Sequence, residues 1–254
     1  MSALFGLIGK KLEHSFSKDY FTTKFNELNL DSTYTNYELN TIDEVIDIFK
    51  IEGLRGLNVT IPYKESIIPF LDEIDEVAQA IGAVNTIVIK NGKTKGYNTD
   101  VYGFKQMIKP FFKSHHERAI ILGTGGASKA IAHVLNELGC VPIYISRYPN
   151  AENQFGYEEV NQNMIEACPL IVNTTPVGMF PNHNSEIDFP TEFLTERNLV
   201  IDLIYNPKET TLLKKAKALN SWTLNGLTML HQQAEKSWLI WNEKWTHPKT
   251  HPTT

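Results

Sequence analysis

The sequence predicts an α/β protein with mainly parallel sheets, and three observations carry that expectation. Strand-like and helix-like stretches alternate through the first half. A short strand over Arg118–Leu122, continuously apolar from Ala119, runs directly into Gly123-Thr124-Gly125-Gly126. A helical stretch and a second apolar strand follow that turn, the order of a dinucleotide-binding half.

The elements follow in chain order. Residues 4–9 read as a strand, with a helix beginning near Ser15, and Thr33 to Leu39 is strand-like. A helix is expected over Ile42 to Phe49, opened by Asn40-Thr41-x-x-Glu44, a capping-box pattern. Gly56 to Ile61 is a β-branched strand stopped by Pro62, and Lys64-Glu65 is expected to open the next helix. Val77 to Ile81 reads as helix and Val84 to Ile89 as strand. Asn91-Gly92, between Lys90 and Lys93, predicts a type I′ hairpin. After a helix near Tyr102 to Met107, the second half begins at Arg118. Lys129 to Leu138 carries apolar residues at Ile131, Val134, Leu135 and Leu138, a helical spacing, and is followed by strands at Val141 to Ser146, Leu170 to Asn173 and Leu199 to Leu203. The tail from Thr246 is polar, broken by Pro248 and Pro252, and is expected to be disordered.

Composition narrows the function classes. The 254 residues are 42% hydrophobic and 21% charged, an ordinary globular balance. With 24 basic and 29 acidic residues the net charge is -5, so nothing favours a nucleic-acid backbone. No apolar run approaches the ~18 residues needed to span a membrane. The start has no basic region followed by a long apolar stretch, so no secretory signal is expected and the expected location is cytoplasmic. Two cysteines, Cys140 and Cys168, lie in apolar surroundings without ligand spacing and are expected as buried small residues. The eight histidines give no zinc signature, so no metal is expected.

The glycine turn carries the first chemistry. Glycines allow the tight turn and close approach of a pyrophosphate, while the helix that follows offers unpaired N–H donors and a partial positive charge. The third glycine of the usual G-x-G-x-x-G pattern is replaced by Ser128, and the bland alternative is a tight turn that holds nothing. Ser146 follows Gly126 by 20 residues, where an NAD site carries an acid; here the sequence is Ile145-Ser146-Arg147-Tyr148. Arg147 offers a planar, permanent cation for a 2′-phosphate, so NADP is expected; the alternative is a solvated surface charge.

Polar residues at strand ends mark a second site. Three clusters stand out: His14-Ser15-Phe16-Ser17, Asn58-Val59-Thr60-Ile61-Pro62-Tyr63-Lys64-Glu65, and Gly96-Tyr97-Asn98-Thr99-Asp100. Period-two alternation sends Asn58 and Thr60 to one face and is expected to bury Val59 and Ile61 on the other. Each polar residue also has a structural alternative: Ser15 or Ser17 as a helix cap, Lys64 as a first-turn surface lysine, Asp100 as an N-cap.

Together these segments resemble the shikimate dehydrogenase family along nearly the whole chain. The carrying segments are His14-Ser15-x-Ser17, Asn58-Val59-Thr60-Ile61-Pro62-x-Lys64, Gly82-Ala83-Val84-Asn85-Thr86, Gly96-x-Asn98-Thr99-Asp100-x-x-Gly103, the glycine turn, Asn173-Thr174-Thr175-Pro176-x-Gly178-Met179, Asp202-Leu203-x-Tyr205-x-Pro207 and Gly226-x-x-Met229-Leu230-x-x-Gln233. The resemblance implies an N-terminal α/β substrate domain, a Rossmann-type NADP-binding domain and a cleft between them. The substrate domain would be discontinuous, over 1–100 and 225–254, with the NADP domain over 101–224. It further implies reversible reduction of 3-dehydroshikimate to shikimate with NADPH, a step toward aromatic amino acids.

By position, Lys64 and Asp100 match the family's catalytic pair. Ser15, Ser17, Asn58, Thr60, Lys64, Asn85, Asp100, Tyr205 and Gln233 match its substrate contacts. Gly123, Gly125, Gly126, Ala127, Ser146, Arg147, Thr174, Met179, Leu203, Gly226 and Met229 match its cofactor contacts. Hydroxyls and amides suit a polyol ring, while a positioned ammonium with an orienting carboxylate suits a ketone oxygen that gains charge and a proton. The chain departs from the family at Lys18, where proline is usual, at Gly9-Lys10-Lys11, which lacks the usual proline, and at Tyr148-Pro149, in place of a common threonine. Three rivals remain: an NAD-dependent quinate/shikimate dehydrogenase, a non-catalytic ligand-sensing module of the same fold, and a methylene-tetrahydrofolate dehydrogenase-like enzyme. The expected partner is the small-molecule substrate, with no nucleic acid or membrane, and the expected assembly is a monomer or homodimer.

Overall fold

The structure is a computed structural model, and it describes residues 3–13 and 15–243. His14 and the tail from Thr246 lie outside the described residues. Among those described, two six-stranded sheets form, each within its own compact unit.

The first sheet contains β1 (Ala3–Gly9), β2 (Ser32–Glu38), β3 (Leu54–Val59), β4 (Glu73–Ile74), β5 (Thr86–Lys90) and β6 (Lys93–Tyr97), in the order β2-β1-β3-β5-β6-β4. The pairings β1–β2, β1–β3 and β4–β6 are parallel. β3–β5 and β5–β6 are antiparallel, the latter because the Asn91-Gly92 turn folds β6 straight back on β5. Both turn residues have positive φ, 53° and 74°, as a type I′ hairpin requires. Helices α1 (Phe16–Glu27), α2 (Val45–Ile48) and α3 (Glu76–Ile81) accompany this sheet in sequence. Gly56 on β3 leaves room for the indole of Trp241, which a Cβ there would overlap. That indole donates from Nε1 to the Ile87 carbonyl at 3.0 Å and packs on Phe5 and Phe21.

The second sheet is parallel throughout: β7 (Arg118–Leu122), β8 (Val141–Ile145), β9 (Gln154–Phe155), β10 (Leu170–Asn173), β11 (Leu199–Asp202) and β12 (Trp222–Asn225), in the order β12-β11-β10-β7-β8-β9. The remaining helices are α4 (Asp100–Ile108), α5 (Gly126–Glu137), α6 (Gln162–Ala167), α7 (Thr211–Ala218) and α8 (Leu227–Asn242). Ala119, Ile120, Ile121 and Leu122 of β7 have no solvent exposure, and two apolar clusters share them on opposite faces. Each such Ile or Leu contributes about 1.5–3 kcal/mol of burial. Cys140 and Cys168 are buried free thiols, their pKa values pushed up to about 12 and about 11 by burial.

Three expectations need correction. The helix expected from Lys64 is a run of turns ending in a 3-10 segment at Ile68–Phe70; Pro69 has no N–H and cannot continue a helical ladder. Ile61 is 65% exposed, because β3 ends at Val59 and the Tyr63 N–H closes a turn onto the Thr60 carbonyl, so alternation stops before Ile61. The helix expected over Ile42 to Phe49 begins as a 3-10 turn at Ile42–Glu44, although Glu44 does accept from the Thr41 N–H at 2.9 Å.

The chain divides elsewhere than at 100/101 and 224/225. One unit takes the described residues of Met1–Ala78, Val84–Tyr97 and Glu235–Thr254; the other takes Gln79–Ala83 and Asn98–Ala234. The start of α8 goes with the second unit because Met229 sits in its apolar core beside Phe104 and Met107.

Candidate active site

In the first unit, three of the expected substrate residues share one polar network. Asn58, 7% exposed at the end of β3, accepts from the Tyr34 hydroxyl at 2.8 Å through Oδ1. Its Nδ2 faces the Asn85 carbonyl at 3.3 Å, Thr86 Oγ1 at 3.2 Å and Ser237 Oγ at 3.0 Å. Thr86 Oγ1 donates to Asn85 Oδ1 at 3.1 Å and lies 2.8 Å from Ser237 Oγ. Ser17 reaches the same cluster by a hydrogen bond with Tyr34, whose pKa burial pushes well above the ordinary tyrosine range. Phenol, amides and hydroxyls are therefore held among themselves on four elements, β2, β3, β5 and α8, with α1 adding Ser17. Sequence reasoning named Ser17, Asn58 and Asn85 and missed Tyr34, Thr86 and Ser237. Ser237 lies four residues after Gln233, on the same helical face, and that spacing was the available signal.

Because Asn58 uses both ends of its amide inside the protein, removing a partner weakens a buried network. Ser237→Ala is expected to cost about 0.5–1.5 kcal/mol of stability. Chemical denaturation checks the stability, and a rise in KM for substrate with kcat near wild type checks the link to binding; an unchanged midpoint would remove the network from the account.

Around it stand the other first-unit candidates. Ser15 is the N-cap of α1, its Oγ accepting from the Lys18 N–H at 3.4 Å, so the structural alternative holds for this hydroxyl. Thr60 is half-buried, its N–H bonded to the Ile8 carbonyl at 2.9 Å. The Lys64 carbonyl accepts from the Val84 N–H at 2.7 Å, and the Asn85 N–H donates to the Tyr97 carbonyl at 3.0 Å. These backbone bonds tie the turn after β3 to the segment leading into β5, which fixes the positions of Lys64 and Asn85.

The remaining substrate candidates belong to the second unit. Asp100 opens α4 and is 2% exposed; its N–H donates to Asn98 Oδ1 at 3.1 Å, and Asn98 Nδ2 donates to the Ala83 carbonyl at 2.9 Å. Gly103, one turn on, lets α4 approach α8 closely: a Cβ there would lie 2.6 Å from the Met229 carbonyl and 3.2 Å from Gln233 Cβ. The same helix contact therefore sets both Asp100 and Gln233. Tyr205 is half-buried in the loop after β11.

The glycine turn occupies the point where the strand order reverses. From β7 the chain runs outward through β8 and β9, then returns to β10 on the other side, so Leu122 pairs with both Ile145 and Asn173. Ligands of open α/β sheets bind outside the carboxyl ends of strands at such a point. Gly123 has φ of 104°, a conformation reserved for glycine, and its Cβ would lie 2.9 Å from Thr174 Oγ1. Thr174 Oγ1 donates to the Leu122 carbonyl at 2.7 Å, locking the two loops together. Gly125 differs: it is the N-cap of α5 with no side-chain cap bond and φ of -81°, and a Cβ on it would meet nothing within 4 Å. Nothing in the chain requires glycine there, so the open space fits a ligand drawn close to the backbone and the α5 N–H groups. Ala127 lies in the first turn of α5.

Other cofactor candidates divide between rim and support. Arg147 and Met179 are exposed, whereas Ser146 is 9% exposed and accepts from the Tyr148 N–H at 3.1 Å. Leu203 bonds by its N–H to the Asn173 carbonyl at 3.0 Å, and Gly226 packs against the Leu203 backbone. Met229 is a core residue. Below the rim, Asp202 is fully buried, its oxygens accepting from Asn173 Nδ2 at 3.1 Å, the Ile204 N–H at 3.1 Å and Thr210 Oγ1 at 2.6 Å. Burial raises its pKa, against the lowering effect of those bonds. Asn173 Oδ1 in turn accepts from the Thr175 N–H at 2.9 Å. This Asn–Asp pair, at register positions 173 and 202, shapes the loop carrying Thr174.

A parallel sheet with a glycine turn at its switch point, an exposed arginine rather than an acid after β8, and a separate hydroxyl-and-amide cluster define the class of NADP-dependent oxidoreductases acting on small polar substrates. Residues 7–87 match the family model described as the shikimate dehydrogenase substrate binding domain. The chain is 37% identical over 257 residues to the shikimate dehydrogenase (NADP(+)) of Methanosphaera stadtmanae, covering 94% of this chain and 91% of that one. A shikimate dehydrogenase crystallised in complex with NADP+ superimposes with a TM-score of 0.84 at 36% identity, covering 95% of this chain and 90% of that one. The shikimate 5-dehydrogenase of Thermus thermophilus, solved with NADP(H) and shikimate, gives 0.83 at 29% identity, covering 94% and 93%. The chain belongs to the shikimate dehydrogenase family.

Proposed function

We propose that the chain catalyses the reversible NADP-dependent interconversion of 3-dehydroshikimate and shikimate, a step toward aromatic amino acids. The observation that carries this reading is a chain of this family that keeps both Lys64 and Asp100 together with a network of neutral hydroxyls and amides. A ligand-sensing module has no use for the pair, and a polyol ring calls for neutral donors and acceptors.

NADP, when bound, supplies or accepts the hydride. Gly123, Gly125, Gly126 and Ala127 would receive its pyrophosphate on backbone N–H groups at the start of α5, and Arg147 would pair with the 2′-phosphate. Thr174, Met179, Leu203, Gly226 and Ser146 border that edge. On the substrate side, Ser15 and Ser17 hold the carboxylate as neutral donors. Asn58, Thr60, Asn85, Tyr205 and Gln233 take the ring hydroxyls. As negative charge grows on the ketone oxygen, the Lys64 ammonium stabilises it and donates a proton from Nζ, while the Asp100 carboxylate orients the lysine and accepts from a neighbouring hydroxyl. In oxidation the proton returns to Nζ.

Absorbance at the reduced nicotinamide band tests the reading: shikimate with NADP gives the fastest rise, ahead of shikimate with NAD and of quinate with either. A faster rate with NAD and quinate selects the rival dehydrogenase, and no rate with any pair selects the sensing module. Arg147→Asp is expected to lower kcat/KM for NADP far more than for NAD. An unmoved NADP/NAD ratio would show that Arg147 does not read the 2′-phosphate. A cytoplasmic location and a monomer or homodimer belong to the same proposal; no helix among the described residues is long and apolar enough to cross a membrane.

A further inference from the structure

The second unit holds a cavity that the proposed reaction does not use. Its volume is about 720 Å³, within the range of small-molecule sites, and it is lined by Trp222, Phe111, Lys113, His116 and Arg197 among others. Trp222 and Leu199, also in the lining, are the first residues of β12 and β11. The cavity therefore sits at the amino ends of the parallel strands, whereas the glycine turn sits at their carboxyl ends.

Its walls are held in shape by the chain itself. On one side the Thr195 N–H donates to Asn198 Oδ1 at 2.8 Å, Ser221 Oγ donates to the Thr195 carbonyl at 2.7 Å, and the Trp222 N–H donates to the Asn198 carbonyl at 3.0 Å. On the other, the His116 N–H donates to the Lys113 carbonyl and the Lys113 N–H donates to His116 Nδ1, each at 3.0 Å. His116 is 4% exposed, and with Nδ1 accepting, the neutral ring carries its proton on Nε2. That Nε2–H has no hydrogen-bond partner among the described residues, although the ring lines the cavity. Burial, with the charges of His115 and Lys113, holds the His116 pKa down to about 4, so the ring stays a neutral donor at physiological pH.

Charge and shape then define the occupant. Lys113 and Arg197 are exposed cations with no ion pair among the described residues, set against one acid in the lining, Glu196. Trp222 is 66% exposed, a large aromatic surface left open at the mouth. Aromatic faces beside unpaired cations and an open N–H donor on a largely buried ring suit a flat ring bearing a negative group; a bare inorganic anion would leave the apolar wall wet. We infer that this cavity is a second binding site, for a planar aromatic carboxylate, and that its occupation is independent of the cofactor edge.

Isothermal titration of the full chain with 2-naphthoate tests this. The expected result is one-to-one binding that persists with saturating NADP and shikimate. It should weaken at least about 10-fold, or 1.4 kcal/mol, in the Lys113→Gln/Arg197→Gln double variant. The same loss is expected for 2-naphthamide, which keeps the rings and lacks the charge. Both substitutions are on exposed side chains, so shikimate oxidation by the variant reports that it is folded. Absence of binding, displacement by NADP or shikimate, or equal affinity for the amide or for the variant overturns the proposal.

Discussion

Lys64→Ala is expected to lower kcat for shikimate oxidation by about 10²-fold or more, the loss typical of a positioned general acid–base group. The substitution leaves the backbone role of Lys64 intact. Its backbone carbonyl still accepts from the Val84 N–H at 2.7 Å, and its side chain is half-buried at a turn rather than in a core. The thermal midpoint should therefore stay near wild type while turnover collapses. A KM for shikimate that rises less than kcat falls would place the lost interaction in the transition state. Turnover within a few-fold of wild type would end the catalytic assignment. Asp100→Asn separates orienting from donating: an amide keeps the hydrogen bonds of the α4 terminus and removes the charge, so a smaller loss than at Lys64 is expected.

Gly226→Ala is expected to destabilise the protein by about 3 kcal/mol, near the upper end for overpacking a filled site. The added Cβ would collide with the carbonyl of Leu203 and lie 3.0 Å from the Leu203 Cα, so backbone rather than a flexible side chain must move. That backbone is fixed: the Leu203 N–H is bonded to Asn173 and the Gly226 N–H to Ile204. At roughly 2–4 °C per kcal/mol for a protein of this size, the melting temperature should fall by about 6–12 °C. Gly125→Ala is the matched contrast. Its Cβ meets nothing and its φ is ordinary, so stability should change by less than about 0.5 kcal/mol, while KM for NADP rises. A thermal shift at Gly125 as large as at Gly226, or an unchanged KM for NADP at Gly125, would show that the open space above α5 is not reserved for a ligand.

The contrast between these glycines shows what a sequence can and cannot distinguish. Both stand in motifs legible from the chain alone, yet one is hemmed in by a neighbouring carbonyl and the other faces open space. The strand Arg118–Leu122 and its turn were legible because burial on both faces and a switch to helical spacing are local properties. The hairpin at Asn91-Gly92 was legible because two positive φ angles need those residue types. The helix expected from Lys64 was not borne out, since Pro69 lay within the span that would have continued it. Ile61 was misplaced because alternation describes a strand only while it lasts, and the end of β3 is set by a turn bond between Tyr63 and Thr60. Of the polar site, the residues at strand ends were visible. Tyr34 and Ser237 were not, since they lie 24 and 179 residues from the Asn58 amide they complete.

The sequence by itself determined the class of fold, the glycine turn and the residue types of the candidate sites, because these depend on torsional preference, periodicity and side-chain chemistry. Only the tertiary structure decided which of those residues hold one another. It closed Ser17, Tyr34, Asn58, Thr86 and Ser237 into one network, set Asp100 and Gln233 by the approach of α4 to α8 at Gly103, and left Gly125 open. Hydrogen bonds and van der Waals contacts act over a few ångströms, and which groups come that close is fixed by sheet order and helix packing rather than by separation along the chain.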